Sequence, residues 1–217
     1  MQMTVEKGAP PKWRKHVVGV AVGMAAGLIG AFATIRVIES GTLGEFEGSQ
    51  LAAALVGLIF LLTAFGVGAG LVSPQLGAQY LNVENAEELK EQRRMLALSA
   101  AGMIAWGLLL FVLAASGPTG ALPALPALLA VAGLLAAVVA LTAAQWRLMD
   151  ELLRQTSSEG GNMAFYLTLV FGGGWATLAY LGFVPGPGHL DWITLISVAT
   201  LAGTFIAAGK RGLLTPR

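Results

Sequence analysis

Six stretches of this chain carry no charged side chain, and each is long enough to cross a bilayer: Val17–Ile35, Leu51–Ser73, Met95–Ser116, Leu122–Trp146, Met163–Val184 and Trp192–Gly209. A helix rises about 1.5 Å per residue, so roughly 20 apolar residues cross the hydrocarbon. The connections between them sort the basic residues. Of the 13 Lys and Arg residues, 12 fall on one side of the pattern. Lys7, Lys12, Arg14 and Lys15 precede the first stretch; Lys90, Arg93 and Arg94 lie between the second and third. Arg147 and Arg154 lie between the fourth and fifth, and Lys210, Arg211 and Arg217 follow the sixth. Only Arg36 stands on the other side. Basic residues are retained in cytoplasmic loops, so the expectation is an all-α, polytopic transmembrane bundle of six helices with both termini cytoplasmic.

Composition agrees with a bilayer as the solvent. The chain is 56% hydrophobic and 12% charged, against about 25% charged in an ordinary soluble domain. A formal net charge of +1 gives no reason to expect nucleic acid. The absence of Cys excludes disulfides, thiolate nucleophiles and thiolate metal sites. His16 and His189 fall on opposite sides in this topology and cannot share a metal. Neither a cofactor nor a metal is expected. The domain reading is residues 1–16 as a disordered cytoplasmic lead, residues 17–209 as the transmembrane domain, and residues 210–217 as a cytoplasmic tail. Lys12–His16 followed by an apolar run, with Ala31-Phe32-Ala33 beyond it, also has the outline of a signal peptide. The uncharged run of 19 residues is longer than the usual apolar region of such a peptide and favours a retained first helix.

The spans themselves hold no ionisable group at mid-depth, where one costs about 2.5–3.5 kcal/mol and is kept mainly for function. Enzymes needing a buried acid, base or metal are therefore disfavoured, as are transporters built on intramembrane charge. The expectation is a protein that is not an enzyme. Glycines are the more telling feature. Gly19, Gly23 and Gly27 recur every fourth residue and define a face for close helix packing, within the monomer by preference and in a homo-oligomer as the second reading. Gly172-Gly173-Gly174-Trp175 weakens the fifth span and reads either as a notch for a neighbouring aromatic or as a hinge lining a solute site.

Charge concentrates in two connections on the cytoplasmic side, Glu84–Arg94 and Arg147–Glu159. Asn85 with Glu88 three residues on fits the start of a short cytoplasmic helix, either separate from the third span or continuous with it. In the second connection Asp150 and Glu151 stand four and three residues before Arg154, within reach on one helix face, and the chain is expected to turn back at Gly160-Gly161. Glu88-Leu89 and Gln92 match Glu151-Leu152 and Gln155, which would relate the second and third spans to the fourth and fifth as a parallel repeat. Candidate contacts for a protein partner are Glu87, Glu88, Arg93, Arg94, Asp150, Glu151, Arg154 and Glu159.

Asp150-Glu151-x-x-Arg154-x4-Glu159, followed by Phe165, resembles a D-E-x-x-R-x4-E segment of uncharacterised small multi-pass membrane proteins of proteobacteria. The likeness covers about 16 of 217 residues. It implies a bacterial inner-membrane location and no reaction. Two functions follow from the sequence. The first is a non-catalytic integral membrane protein whose charged hairpins form a platform for a cytoplasmic or membrane protein. The second is a small transporter or channel for an apolar or weakly polar solute. A continuous groove holding Trp106, Thr168, Thr177 and Tyr180 would favour the second, and a tightly packed apolar core the first.

Overall fold

The computed structural model describes residues 12–41, 46–72, 86–117 and 120–213, with the side chains of residues 12–20, 22 and 86–91 outside the description. The described residues form helices: α1 Lys12–Glu39, α2 Gly48–Val72, α3 Ala86–Ala114, α4 Ala124–Trp146, α5 Glu151–Leu167, α6 Gly173–Tyr180 and α7 His189–Lys210. A wider π turn, Thr168–Gly172, joins α5 to α6 without a break. Five helical segments are long and apolar enough to cross a membrane: Gly48–Val72, Gln92–Ala114, Ala124–Trp146, Glu151–Tyr180 and His189–Lys210. The protein is therefore an all-α, multi-pass membrane protein.

Its packing inverts the size order of a water-soluble core. The buried apolar residues are mostly alanine, among them Ala53, Ala54, Ala64, Ala100, Ala114, Ala199 and Ala207, while Phe65, Phe171, Leu128 and Ile29 point outward. Lipid is as apolar as leucine, so large side chains gain little by turning inward; small ones let backbones approach and multiply contacts. The approach is closest at two crossings. Between α2 and α3, a methyl on Gly57 would lie 2.9 Å from the Gly107 carbonyl oxygen, and one on Gly107 would lie 2.8 Å from that of Gly57. Between α5 and α7, a methyl on Gly203 would run into the Gly160 carbonyl oxygen and come within 2.8 Å of the Ala164 nitrogen.

These two antiparallel pairs are joined by α2 against α7, where Val56, Phe60 and Leu110 pack with Met103, Trp106, Ile193 and Leu201. Helix α4 lies on the outside of α3. Its only buried residue is Ala127, and Leu125, Leu128, Leu129 and Val139 are exposed, an apolar surface suited to the interior of a bilayer. Pro123 caps α4 and Pro126 sits in its first turn, where a missing N–H leaves no bond unmade. Helix α1 reaches α2 through Gly30, where a methyl would lie 3.2 Å from the Leu58 side chain.

Three expectations are corrected here. The fourth and fifth spans do not pack as the second and third do: α4 packs on α3 and α5 on α7, so the packing gives no support to a parallel repeat. The chain does not turn back at Gly160-Gly161. It reverses at Arg147–Asp150, and the two glycines lie inside α5, where Gly160 is buried against Thr204 of α7. Within this chain α1 does not pack through Gly23 and Gly27, which have nothing within 4 Å, and the environment of Gly19 lies outside the description.

The crossings predict a contrast between glycines. Gly203→Ala and Gly107→Ala must push two backbones apart and should each lose about 1–3 kcal/mol. Gly66→Ala, with nothing within 4 Å, should be neutral or gain up to about 1 kcal/mol of helix propensity. Denaturant unfolding in mixed micelles measures all three.

Candidate interaction surface at the charged end

Helix directions follow from long-range bonds. Gln50 at the start of α2 donates to the carbonyl of Ala114 at 3.0 Å and of Ser116 at 3.1 Å, beyond the end of α3. Its side-chain Oε1 accepts from Glu47 N–H at 2.8 Å. One buried amide thus ties the first turn of one helix to the last turn of another. Glu159 of α5 accepts two hydrogen bonds from Arg211, just past α7, at 3.1 and 2.5 Å. The antiparallel pairs therefore bring the N-termini of α3 and α5 and the C-termini of α2, α4 and α7 to one end of the bundle. Arg93, Arg94, Arg147, Arg154, Lys210 and Arg211 all lie there. Arg36 lies at the other end, stacked 5.0 Å over Phe32 and bridged to Glu39 at 3.4 Å.

At the charged end the α4–α5 reversal takes four residues. Asp150 has an extended backbone and caps α5, its Oδ1 accepting from Leu153 N–H at 2.8 Å. A carboxylate there satisfies an end N–H and meets the positive end of the helix dipole, as does Glu151 in the first turn. Arg154 forms no ion pair with either acid, contrary to the spacing expectation. Asp150 stands outside the helix with its carboxylate occupied, and Glu151 accepts from Gln155 at 3.2 Å. Arg154 instead reaches back across the hairpin to the carbonyl of Trp146, the last residue of α4, at 3.4 Å. A cation suits that negative helix end. Its Nε is enclosed and has no hydrogen-bond partner among the described residues.

The candidate contacts therefore divide. Asp150, Arg154 and Glu159 have structural partners, in a cap, a cross-hairpin bond and the α5–α7 ion pair. Glu159 also raises the pKa of Arg211 above its ordinary value, chiefly by accepting its hydrogen bonds. Arg93, Arg94 and Glu151 are exposed. Glu87 and Glu88 stand in the first turn of α3, with side chains outside the description, and Asn85 precedes the described part of that helix. Helix α5 with its continuation runs 30 residues, Glu151–Tyr180, about 45 Å against a hydrocarbon thickness of about 30 Å. That length is enough for its charged first turns to stand beyond the hydrocarbon.

Among the described residues, those named for a transport path have separate surroundings, with Thr168 in the π turn. Thr177 bonds its own helix at Gly173 and is exposed, and Tyr180 is 90% exposed. Trp106 lies apart from them, its Nε1 donating to Ser197 Oγ of α7 at 3.0 Å, while Ser197 donates to Ile193 at 2.7 Å. The indole thus ties α3 to α7 in the middle of the core. Trp175 is not its counterpart. It lies in the first turn of α6 and donates to the carbonyl of Pro185 at 2.9 Å, fastening the following loop. Of the glycine triplet, Gly172 is a notch: a methyl there would lie 2.7 Å from the Trp192 ring. Gly173 and Gly174 face open space apart from Leu169 at 3.9 Å.

Gln50, Gly57, Gly107, Trp192, Gly203 and Arg211 were not singled out from the sequence. A signal existed for one of them. Ala199, Gly203 and Ala207 repeat every fourth residue, the spacing that drew attention to α1 instead. No protein-family model, curated protein or solved structure matches this chain.

The Trp106–Ser197 bond yields a test. Ser197→Ala leaves the indole N–H in an apolar core and should cost about 0.6–1.7 kcal/mol, the range of interhelical hydrogen bonds in membranes. Once Trp106→Phe has removed the donor, adding Ser197→Ala should cost measurably less. A double-mutant cycle by unfolding in mixed micelles measures the coupling.

Proposed function

We propose that this protein is a non-catalytic integral membrane protein of a bacterial inner membrane whose charged cytoplasmic end is a platform for another protein. Helix α1 makes a sixth crossing in this reading, which leaves both termini in the cytoplasm. The observation that carries the proposal is the division of labour at the charged end. Asp150, Arg154 and Glu159 are committed to a helix cap, a cross-hairpin bond and the α5–α7 ion pair, and beside them Arg93, Arg94 and Glu151 stand exposed to solvent. A fixed frame presenting exposed charge of both signs suits a partner with complementary charge, because little ordering entropy remains to be lost on binding. The tightly packed alanine and glycine core, with Trp106 committed to Ser197, favours this reading over a solute path.

Orientation is tested with single cysteines in a chain that has none. In intact spheroplasts a membrane-impermeant maleimide should label Tyr180→Cys and leave Ser158→Cys unlabelled until the membrane is opened. The reverse pattern inverts the proposed topology. Function is tested by co-purification in mild detergent. The native chain should retain a stoichiometric protein partner, and Arg93→Gln/Arg94→Gln/Glu151→Gln, with unchanged unfolding, should lose it. Absence of a partner from the native chain, or retention by the variant, rejects the platform.

A further inference from the structure

Between the charged end and the opposite face, Glu151–Tyr180 is held very unevenly. Its first half is clamped. Gly160 and Ala164 are buried against α7, Glu159 is bridged to Arg211, and Gly172 seats the Trp192 ring with the Leu195 side chain 2.8 Å from where a methyl would stand. Its last part is not: α6 has no buried residue and packs mainly on the π turn before it.

The junction between the halves is built softly. The N–H of Gly173 is shared among the carbonyls of Thr168, Leu169 and Val170, five, four and three residues back. No single helical register is preferred at a bond divided in that way. Gly173 and Gly174 follow immediately, the residues whose backbones resist rotation least. Thr177 then draws on the Gly173 carbonyl at 2.8 Å, a side-chain bond that bends helices. Beyond the junction, the Trp175–Pro185 bond fastens residues 181–185 to α6, so helix and loop form one arm.

An open apolar recess spans the joint. Val170 and Phe171 line it from the clamped side, and Leu178, Val184 and Pro185 from the arm. Bending at the joint changes the width of this recess without disturbing the α5–α7 crossing.

We infer that Gly173-Gly174 is a hinge about which α6 and the loop to Pro185 swing against a fixed α5 and α7. The hinge is a conformational device at the end of the bundle opposite the charged surface, and it stands independently of the platform. Motion is confined to the arm because Gly172, one residue earlier, is locked on Trp192.

The absence of native Cys allows spin-label pairs to be placed by substitution in the full chain, reconstituted in lipid nanodiscs. One pair, Tyr180→Cys with Phe205→Cys, spans the hinge; the reference pair, Leu152→Cys with Ile196→Cys, does not. All four side chains are exposed. Electron–electron distance measurements should give a broader distribution for the first pair than for the second. Gly173→Ala/Gly174→Ala stiffens the helix with no new contact closer than 3.9 Å, and should narrow the first distribution to the width of the reference. Gly174→Ala alone, which meets nothing within 4 Å, should narrow it in part. A first pair as narrow as the reference in the native chain overturns the hinge. So does a broad distribution that both alanine variants leave unchanged.

Discussion

The close approach of backbones at glycine holds the bundle together. In a bilayer, burying a large apolar side chain gains little, because it only exchanges one apolar neighbour for another. What remains is contact density between helices, and that is set by how near two axes can come. Gly57 against Gly107 and Gly160 against Gly203 bring α2 to α3 and α5 to α7 until a single methyl would not fit. Everything else is arranged around those two crossings. The few polar bonds across the core, Gln50 to Ala114 and Trp106 to Ser197, then choose register, since each donor finds its acceptor in one alignment of the helices.

The same constraint explains why the charged end is orderly. Because α5 is fixed on α7 by Gly160 and Gly203, Glu159 meets Arg211 across a short gap. Because α4 ends where α5 begins, Arg154 meets the carbonyl end of α4. These exposed or half-exposed contacts carry modest energy, and they do not hold the helices together. They finish a geometry that the glycines impose, with Arg93, Arg94 and Glu151 among the side chains facing outward from the frame.

Much of the architecture was legible along the chain, and for one reason. Uncharged runs of about 20 residues have a single economical solution in lipid, a helix with its backbone bonds satisfied internally. Five such helices follow that rule among the described residues. What misled was local spacing. Gly160-Gly161 among Ser157, Ser158 and Asn162 has the composition of a turn, but α7 supplies packing that makes it helix. Asp150 and Glu151 sit at helical distances from Arg154, but the helix begins at Glu151, which turns Asp150 into a cap. Gly19, Gly23 and Gly27 have the spacing of a packing face, yet α1 meets α2 at Gly30.

The sequence by itself determined that this is a multi-pass helical membrane protein and where along the chain its charge concentrates, because hydropathy and charge act residue by residue. Only the tertiary structure decided which glycines are contacts and which are open, since that depends on the helix opposite. Gly172 and Gly174 are identical residues two positions apart in one glycine run; one lies under the Trp192 ring and the other faces nothing within 4 Å. The difference is made by α7, and no pattern within the fifth span contains it.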